Sequence, residues 1–264
     1  MSDYGKQIRL NRILRANKRK ALVVAFDHAL IYGPIPGTVN PAEQIRAFAD
    51  NGADAVLMNL GILRIAGRGL LNERAPALIM RLDWTSAWTA IDSGKALRSE
   101  LVVSPEEALH YGADAVLTYL FVGTGDNEFE AREIKRNAEV ARECERIGMP
   151  MIVETLARGR DVAKQTSPDW IKLHTRIALE LGADVMKTEY TGDVETMKDV
   201  IQACPAPILV LGGARKPENG GMDIVKGAMA AGAAGVFFGR NVFQALDIAE
   251  SLRELRAVLD QSSK

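Results

Sequence analysis

The sequence predicts an α/β fold of one particular kind, a single (β/α)8 TIM barrel with an N-terminal capping helix. Three observations predict it. Eight apolar runs of four to nine residues alternate with segments long enough for helices. The runs are largely apolar with little period-two alternation, as expected for strands of a parallel sheet covered on both faces. One helix-to-strand joint also recurs: Asn51-Gly-Ala-Asp-Ala-Val, Tyr111-Gly-Ala-Asp-Ala-Val, Leu181-Gly-Ala-Asp-Val-Met and Ala231-Gly-Ala-Ala-Gly-Val. Gly52, Gly112, Gly182 and Gly232 suit the left-handed residue that ends a helix, and the following Ala lets the chain turn into the next strand. A chain of 264 residues admits one domain or two. Repetition of one βα unit, with no Pro- or Ser-rich linker, favours one barrel over a doubly wound sheet.

In chain order, residues 1–20 are basic and amphipathic (Ile8, Leu10, Ile13, Leu14) and are expected to cap the barrel floor; residues 21–264 form the barrel. The eight expected strands are Ala21–Phe26, Ala53–Met58, Ala77–Leu82, Asp114–Val122, Met151–Glu154, Asp184–Lys187, Ile208–Leu211 and Gly235–Phe238. Helical periodicity is clearest over Asn127–Ile147 and Pro168–Leu181. Gly148-Met-Pro and Cys204-Pro-Ala-Pro vary the joint before the fifth and seventh strands.

Composition excludes several classes of function. With 33 Lys+Arg against 34 Asp+Glu and a formal net charge of -1, there is no field to recruit nucleic acid or an anionic membrane. No stretch is a membrane span and Met1–Lys20 has no apolar signal core, so a cytoplasmic location is expected. Cys144 and Cys204 lack C-x-x-C spacing and read as buried thiols. The three histidines, His28, His110 and His174, are too scattered for a metal site; His110 and His174 fall on helices as surface or packing residues. No metal and no cofactor is expected.

Barrel active sites sit at the C-terminal ends of the strands. Polar residues there are Asp27 and His28, Asn59, Arg81 and Asp83, Tyr119, Glu154 and Thr155, Lys187 and Glu189, Gly212-Gly213, and Gly239-Arg240. Lys187 lies within an apolar strand, where apolar surroundings favour the neutral amine and the amine can attack a carbonyl to form a Schiff base. The alternative is a lysine at a frayed strand end, paired with Glu189 or Asp193. Gly212-Gly213 and Gly239-Arg240 follow the last two strands, where backbone N–H groups commonly hold a phosphate and Arg240 can add a charge-assisted contact. Asp27 either serves a Schiff base or caps the following turn.

Four motifs carry a resemblance: Val24-Ala-Phe-Asp-His-Ala with Gly33-Pro34, Met186-Lys-Thr-Glu-Tyr-Thr-Gly-Asp193, Leu211-Gly-Gly-Ala-Arg-Lys216 and Phe238-Gly-Arg-Asn-Val-Phe-Gln244. From Arg9 to Ala257 the chain resembles the archaeal-type class I fructose-bisphosphate aldolases, with the aminodideoxyheptulosonate synthases and the phospho-autoinducer-2 thiolase. The resemblance implies Lys187 as Schiff-base lysine and Asp27 as the carboxylate that engages the substrate. It implies Gly212, Gly213, Gly239 and Arg240 as phosphate binders, with His28 and Arg158 near the substrate.

One position departs. The aldolases resemble Tyr-Pro-Arg-Gly after the fifth strand, with tyrosine as acid/base; here Glu154-Thr-Leu-Ala-Arg-Gly159 puts Leu156 in its place. Glu154 or Tyr119 is the expected substitute. The thiolase branch also lacks the tyrosine, and Gly61-Ile-Leu-Arg64 is similar to it. Trp84 and Trp88 either shape a substrate pocket or pack under a loop. The expected function is that of a lyase in carbohydrate metabolism, a metal-independent Schiff-base aldolase on a phosphorylated ketose. Coenzyme-A-dependent acyl transfer on a phosphorylated dione and a non-catalytic sugar-phosphate-binding barrel are the alternatives. Resemblance also implies a homo-oligomer.

Overall fold

In the computed structural model the described residues are 4–14, 20–71, 75–91, 93, 95–216 and 218–262. Residues 1–3 and 15–19 of the expected capping segment, and 263–264 of the expected barrel range, lie outside them. The described strands are β1 (Ala21–Phe26), β2 (Ala55–Met58), β3 (Ala77–Arg81), β4 (Asp83–Thr85), β5 (Ser99–Leu101), β6 (Ala115–Val122), β7 (Met151–Ala157), β8 (Val185–Thr188), β9 (Ile208–Leu211) and β10 (Gly235–Phe238). Eight of them form a closed parallel barrel in the order β1-β10-β9-β8-β7-β6-β3-β2, with helices between them in sequence. β4 and β5 pair antiparallel outside it.

The continuous apolar strands follow from what each face meets. Val23, Leu57, Ile79, Leu117, Ile152, Val185, Leu209 and Phe237 point inward and pack on one another, whereas Val24, Val56, Met80, Val116, Val153, Met186, Val210 and Val236 pack under the helices. Burying one such side chain stabilises the fold by about 1.5–3 kcal/mol. A slip of one residue would exchange the two sets, so the register is tightly specified.

The floor of the barrel explains the repeated Gly-Ala-Asp joint. Gly52, Gly112, Gly182 and Gly232 take φ of 83°, 82°, 103° and 97°, the left-handed turn that ends each helix. The aspartate then completes the ladder: Asp54, Asp114 and Asp184 accept the backbone N–H of Leu22 (2.8 Å), Leu78 (2.9 Å) and Met151 (2.8 Å). Each carboxylate also meets a cation from an outer helix. Arg12 reaches Asp114 (2.6 Å) and Lys6 reaches Asp184 (3.1 Å) from helix Tyr4–Leu14, and Arg256 reaches Asp54 from helix Ile248–Gln261. Ile13 packs with the inward-facing residues, so helix Tyr4–Leu14 lies across the N-terminal end of the strands. The fourth joint has Ala234, whose carbonyl accepts Ala21 N–H at 3.0 Å and closes the ring.

Three strands start one or two residues later than the apolar pattern indicates, because Asp54, Asp114 and Asp184 contribute side chains to the ladder. β7 runs three residues longer than expected, to Ala157, because Thr155, Leu156 and Ala157 pair with Leu120, Phe121 and Val122 of β6. Helix Asn127–Ile147 is capped by Asp126, which accepts from Phe129 N–H, and ends at Gly148 in the left-handed conformation.

Candidate active site

Period-two alternation decides which polar side chains enter the barrel. Lys187, two residues after inward Val185, points inward; so do Glu154 after Ile152, Tyr119 after Leu117 and Arg81 after Ile79. Glu154 is the register partner of both Tyr119 and Lys187. The four therefore meet at one level near the C-terminal end, joined by Asp27 just past β1.

Arg81 is the hub of that level. Its Nη2 donates to Glu154 Oε2 (2.5 Å), its Nε to Asp27 Oδ2 (2.9 Å) and its Nη1 to Asp83 Oδ1 (3.3 Å). Its guanidinium carbon lies 3.7 Å from the centre of the Tyr119 ring. Buried carboxylates in such number are tolerated only when paired. Burial opposes ionisation of Asp27, but Arg81, His28 and Lys187 outweigh it and hold Asp27 at about 2. Asn59 fixes the same loop by donating to the Asp27 carbonyl at 2.9 Å. Behind the hub, Arg136 meets Asp83 (2.9 Å) and Glu133 (2.8 Å), and burial pushes Glu133 up to about 7.

Lys187 Nζ lies 2.9 Å from Glu154 Oε2 and 4.4 Å from the centre of the Phe237 ring. Neither Glu189 nor Asp193 is its partner here: Glu189 takes Arg158 in a two-pronged pair (2.6 and 3.1 Å), and Asp193 caps the next helix by accepting from Thr196 N–H. The lysine opens onto a cavity of about 240 Å³ that is also lined by Asp27, His28, Tyr119, Glu154, Arg158, Gly212, Gly213, Gly239 and Arg240.

At one side of this cavity the loops after β9 and β10 are tied together. Asn241 donates to the Gly212 carbonyl (2.9 Å) and accepts from Lys216 N–H (2.8 Å). Gly239 has no room for a side chain, since a Cβ there would stand 2.5 Å from the His28 ring. The Arg240 side chain has no hydrogen-bond or ion-pair partner among the described residues, and its Nε is buried. His28 Nδ1 lies 3.4 Å from Asp27 Oδ1; burial, with help from Lys187 and Arg240, lowers its pKa to about 4, so the ring is neutral at pH 7.

Other expectations are sorted by the same geometry. Trp88 lines the cavity, whereas Trp84 stands on β4 away from it. Thr155 has the outward parity of its strand. Leu156 is fully buried in a cluster with Tyr119, Phe121 and Phe129, close to the cavity wall. His174 is buried on helix Pro168–Glu180, His110 is exposed, and both cysteines are buried. Among the described residues no group of three His, Cys, Asp or Glu side chains is placed to hold a metal ion. The central place of Arg81 was not read from sequence, although a lone arginine ending an apolar strand is a usable signal.

A family model for the DeoC/LacD family of aldolases matches residues 21–245, every barrel strand included. The chain belongs to that family. This DeoC/LacD aldolase is 32% identical to an uncharacterized aldolase of Saccharolobus solfataricus, over 98% of this chain and 96% of the relative. It is 36% identical to the 2-amino-3,7-dideoxy-D-threo-hept-6-ulosonate synthase of Halobacterium salinarum (92% of this chain, 87% of the relative). It is 34% identical to the class 1 fructose-bisphosphate aldolase of Thermoproteus tenax (91% and 90%). A crystal structure of an archaeal fructose 1,6-bisphosphate aldolase superposes with a TM-score of 0.84 at 31% identity, covering 96% of this chain and 98% of that one. Reaction-intermediate structures of a Schiff-base-forming fructose-1,6-bisphosphate aldolase superpose at 0.83 and 31%, covering 96% and 99%. The DeoC/LacD aldolase is thus a class I aldolase, a carbon–carbon lyase.

Proposed function

We propose that this aldolase reversibly cleaves a phosphorylated ketose through a Schiff base on Lys187. One observation carries the reading: a buried lysine amine 2.9 Å from a carboxylate opens onto the same cavity as an unpartnered arginine between two glycine loops. Glu154 accepts the lysine proton, and the amine adds to the ketone carbon. Loss of water gives an iminium that draws electrons from the bond to be broken.

Asp27, ionised down to about 2, balances the iminium charge and stays a carboxylate at neutral pH. Glu154 passes the lysine proton to the hydroxyl that leaves as water, and so is free to take the β-hydroxyl proton as the carbon–carbon bond breaks. Tyr119 is the weaker candidate for that step, because burial, against the pull of Arg81, drives its hydroxyl well above the ordinary tyrosine range and keeps it protonated. It can donate a hydrogen bond and cannot act as base. Arg240 with Gly212, Gly213 and Gly239 receives the phosphate, and His28 supplies a neutral ring beside it. A cytoplasmic homo-oligomer belongs to the same reading and is supported by family resemblance alone.

The test is a panel of phosphorylated ketoses, each with and without coenzyme A, scored for aldehyde release. Cleavage of at least one without coenzyme A is expected. Product that forms only with coenzyme A would instead favour acyl transfer, the reading that Leu156 in place of a tyrosine leaves open.

A further inference from the structure

The cavity has two ends of unlike chemistry. In the ring order of the barrel, β9 and β10, whose loops carry Gly212–Gly213 and Arg240, stand opposite β3 and β6. Trp88 follows β3 and Tyr119 lies on β6, and both line the far wall. Lys187 on β8 stands between the ends. A ketose with its phosphate at Arg240 and its carbonyl at Lys187 therefore sends its remaining carbons toward Trp88 and Tyr119.

Among the described residues that line the cavity on that side, no cation is free to meet a second phosphate. Arg158, the arginine on that side, donates both terminal nitrogens to Glu189 at 2.6 and 3.1 Å, and Nη1 donates to the Ala157 carbonyl as well. The pair is largely buried. Arg81 is already surrounded by Asp27, Asp83 and Glu154. What the far wall offers is ring surface: Trp88 packs edge-on to Tyr119 (6.0 Å) and Phe121 (5.7 Å), over buried Leu156.

Resting on the aldolase reading, we infer that the substrate carries a single phosphate and that the aldehyde half is unphosphorylated and apolar or aromatic, with Glu189 excluding a second phosphate by neutralising Arg158. In cleavage, the bond between the α and β carbons breaks and its electron pair moves into the iminium, giving an enamine. The β-hydroxyl proton passes to Glu154 as the aldehyde forms. In cleavage Glu154 returns that proton to the enamine carbon and water releases the donor from Lys187. In synthesis the donor iminium loses the α-proton to Glu154, the enamine adds to the aldehyde, which takes the proton back, and water frees the product from Lys187. No oxidant or further reactant enters.

The inference is tested in synthesis, with dihydroxyacetone phosphate as donor and phenylacetaldehyde, isovaleraldehyde, glyceraldehyde and glyceraldehyde 3-phosphate as acceptors. The expected kcat/KM for phenylacetaldehyde exceeds that for glyceraldehyde 3-phosphate by about 100-fold, the scale on which uncompensated like charges discriminate. In Glu189→Gln, which frees Arg158, the ratio moves toward the phosphorylated acceptor by about tenfold. Equal or better use of glyceraldehyde 3-phosphate by the native protein overturns the inference, whether or not the variant folds. Failure of the aldolase reading looks different: no acceptor is used, and borohydride traps no donor on Lys187.

Discussion

Glu154 and Lys187 face each other across one rung of the barrel. They are register partners on β7 and β8, both inward, with Oε2 2.9 Å from Nζ, and the same oxygen receives Arg81 Nη2. One carboxylate oxygen thus touches both the Lys187 amine and the Arg81 guanidinium.

Glu154→Gln preserves the shape of the site and removes the proposed base. Its kcat/KM for cleavage is expected to fall by about 100- to 10,000-fold, the usual weight of a positioned proton acceptor. Steady-state rates on the best ketose of the panel measure this, and a loss below threefold would place the base elsewhere.

Arg240→Ala removes the unpartnered cation of the proposed phosphate end. The KM for a phosphorylated ketose should rise by about 10- to 100-fold, as expected for loss of a charge-assisted hydrogen bond, with kcat far less affected. An unchanged KM would remove the phosphate from this end.

His174 gives a pH dependence of stability. The ring is buried with neither nitrogen partnered, and burial, then the charge of Arg158, lowers its pKa from 6.5 to about 3. Between these values the unfolded chain binds a proton that the folded protein does not, so this group costs stability as pH falls from about 6.5. Glu133, raised from 4.5 to about 7, works in the opposite sense, which makes comparison with a variant necessary. Between pH 7 and pH 4.5 the native protein should lose on the order of 2–3 kcal/mol more than His174→Leu, read from urea midpoints. Parallel pH profiles would contradict the assignment.

Asp54→Ala tests the floor. It leaves the Leu22 N–H without its acceptor and removes one of the two carboxylates of Arg256, which keeps the Lys20 carbonyl and Asp260, at a cost of about 2–4 kcal/mol. The site lies at the other end of the strands, so kcat should stay within about twofold where the variant is folded. Denaturant titration and turnover on one preparation separate the two effects.

Much of this was legible in sequence, and the limits have physical causes. The eight strands and the repeated joint are local signals, so they could be read from apolar runs and glycines. Lys187 was conspicuous because a charge inside an apolar strand needs a reason. Arg81 stands in the same kind of position, yet its partners come from β1 and β7, brought to it only by the closing of the barrel. The aspartates of the joint read as part of a turn, because their acceptance of a neighbouring strand's N–H depends on register. The β4–β5 pair is three residues on each side, too short for a periodic signal. Arg158 matched a substrate-binding position, but Glu189 holding it is a contact between two strand ends that no spacing reveals.

Borohydride trapping tests the central claim most directly. Native protein incubated with dihydroxyacetone phosphate and borohydride should gain the mass of one reduced donor, located by peptide mass analysis on Lys187. Lys187→Met should gain none and should not turn over. An adduct on another residue, or retained turnover in Lys187→Met, would contradict the account.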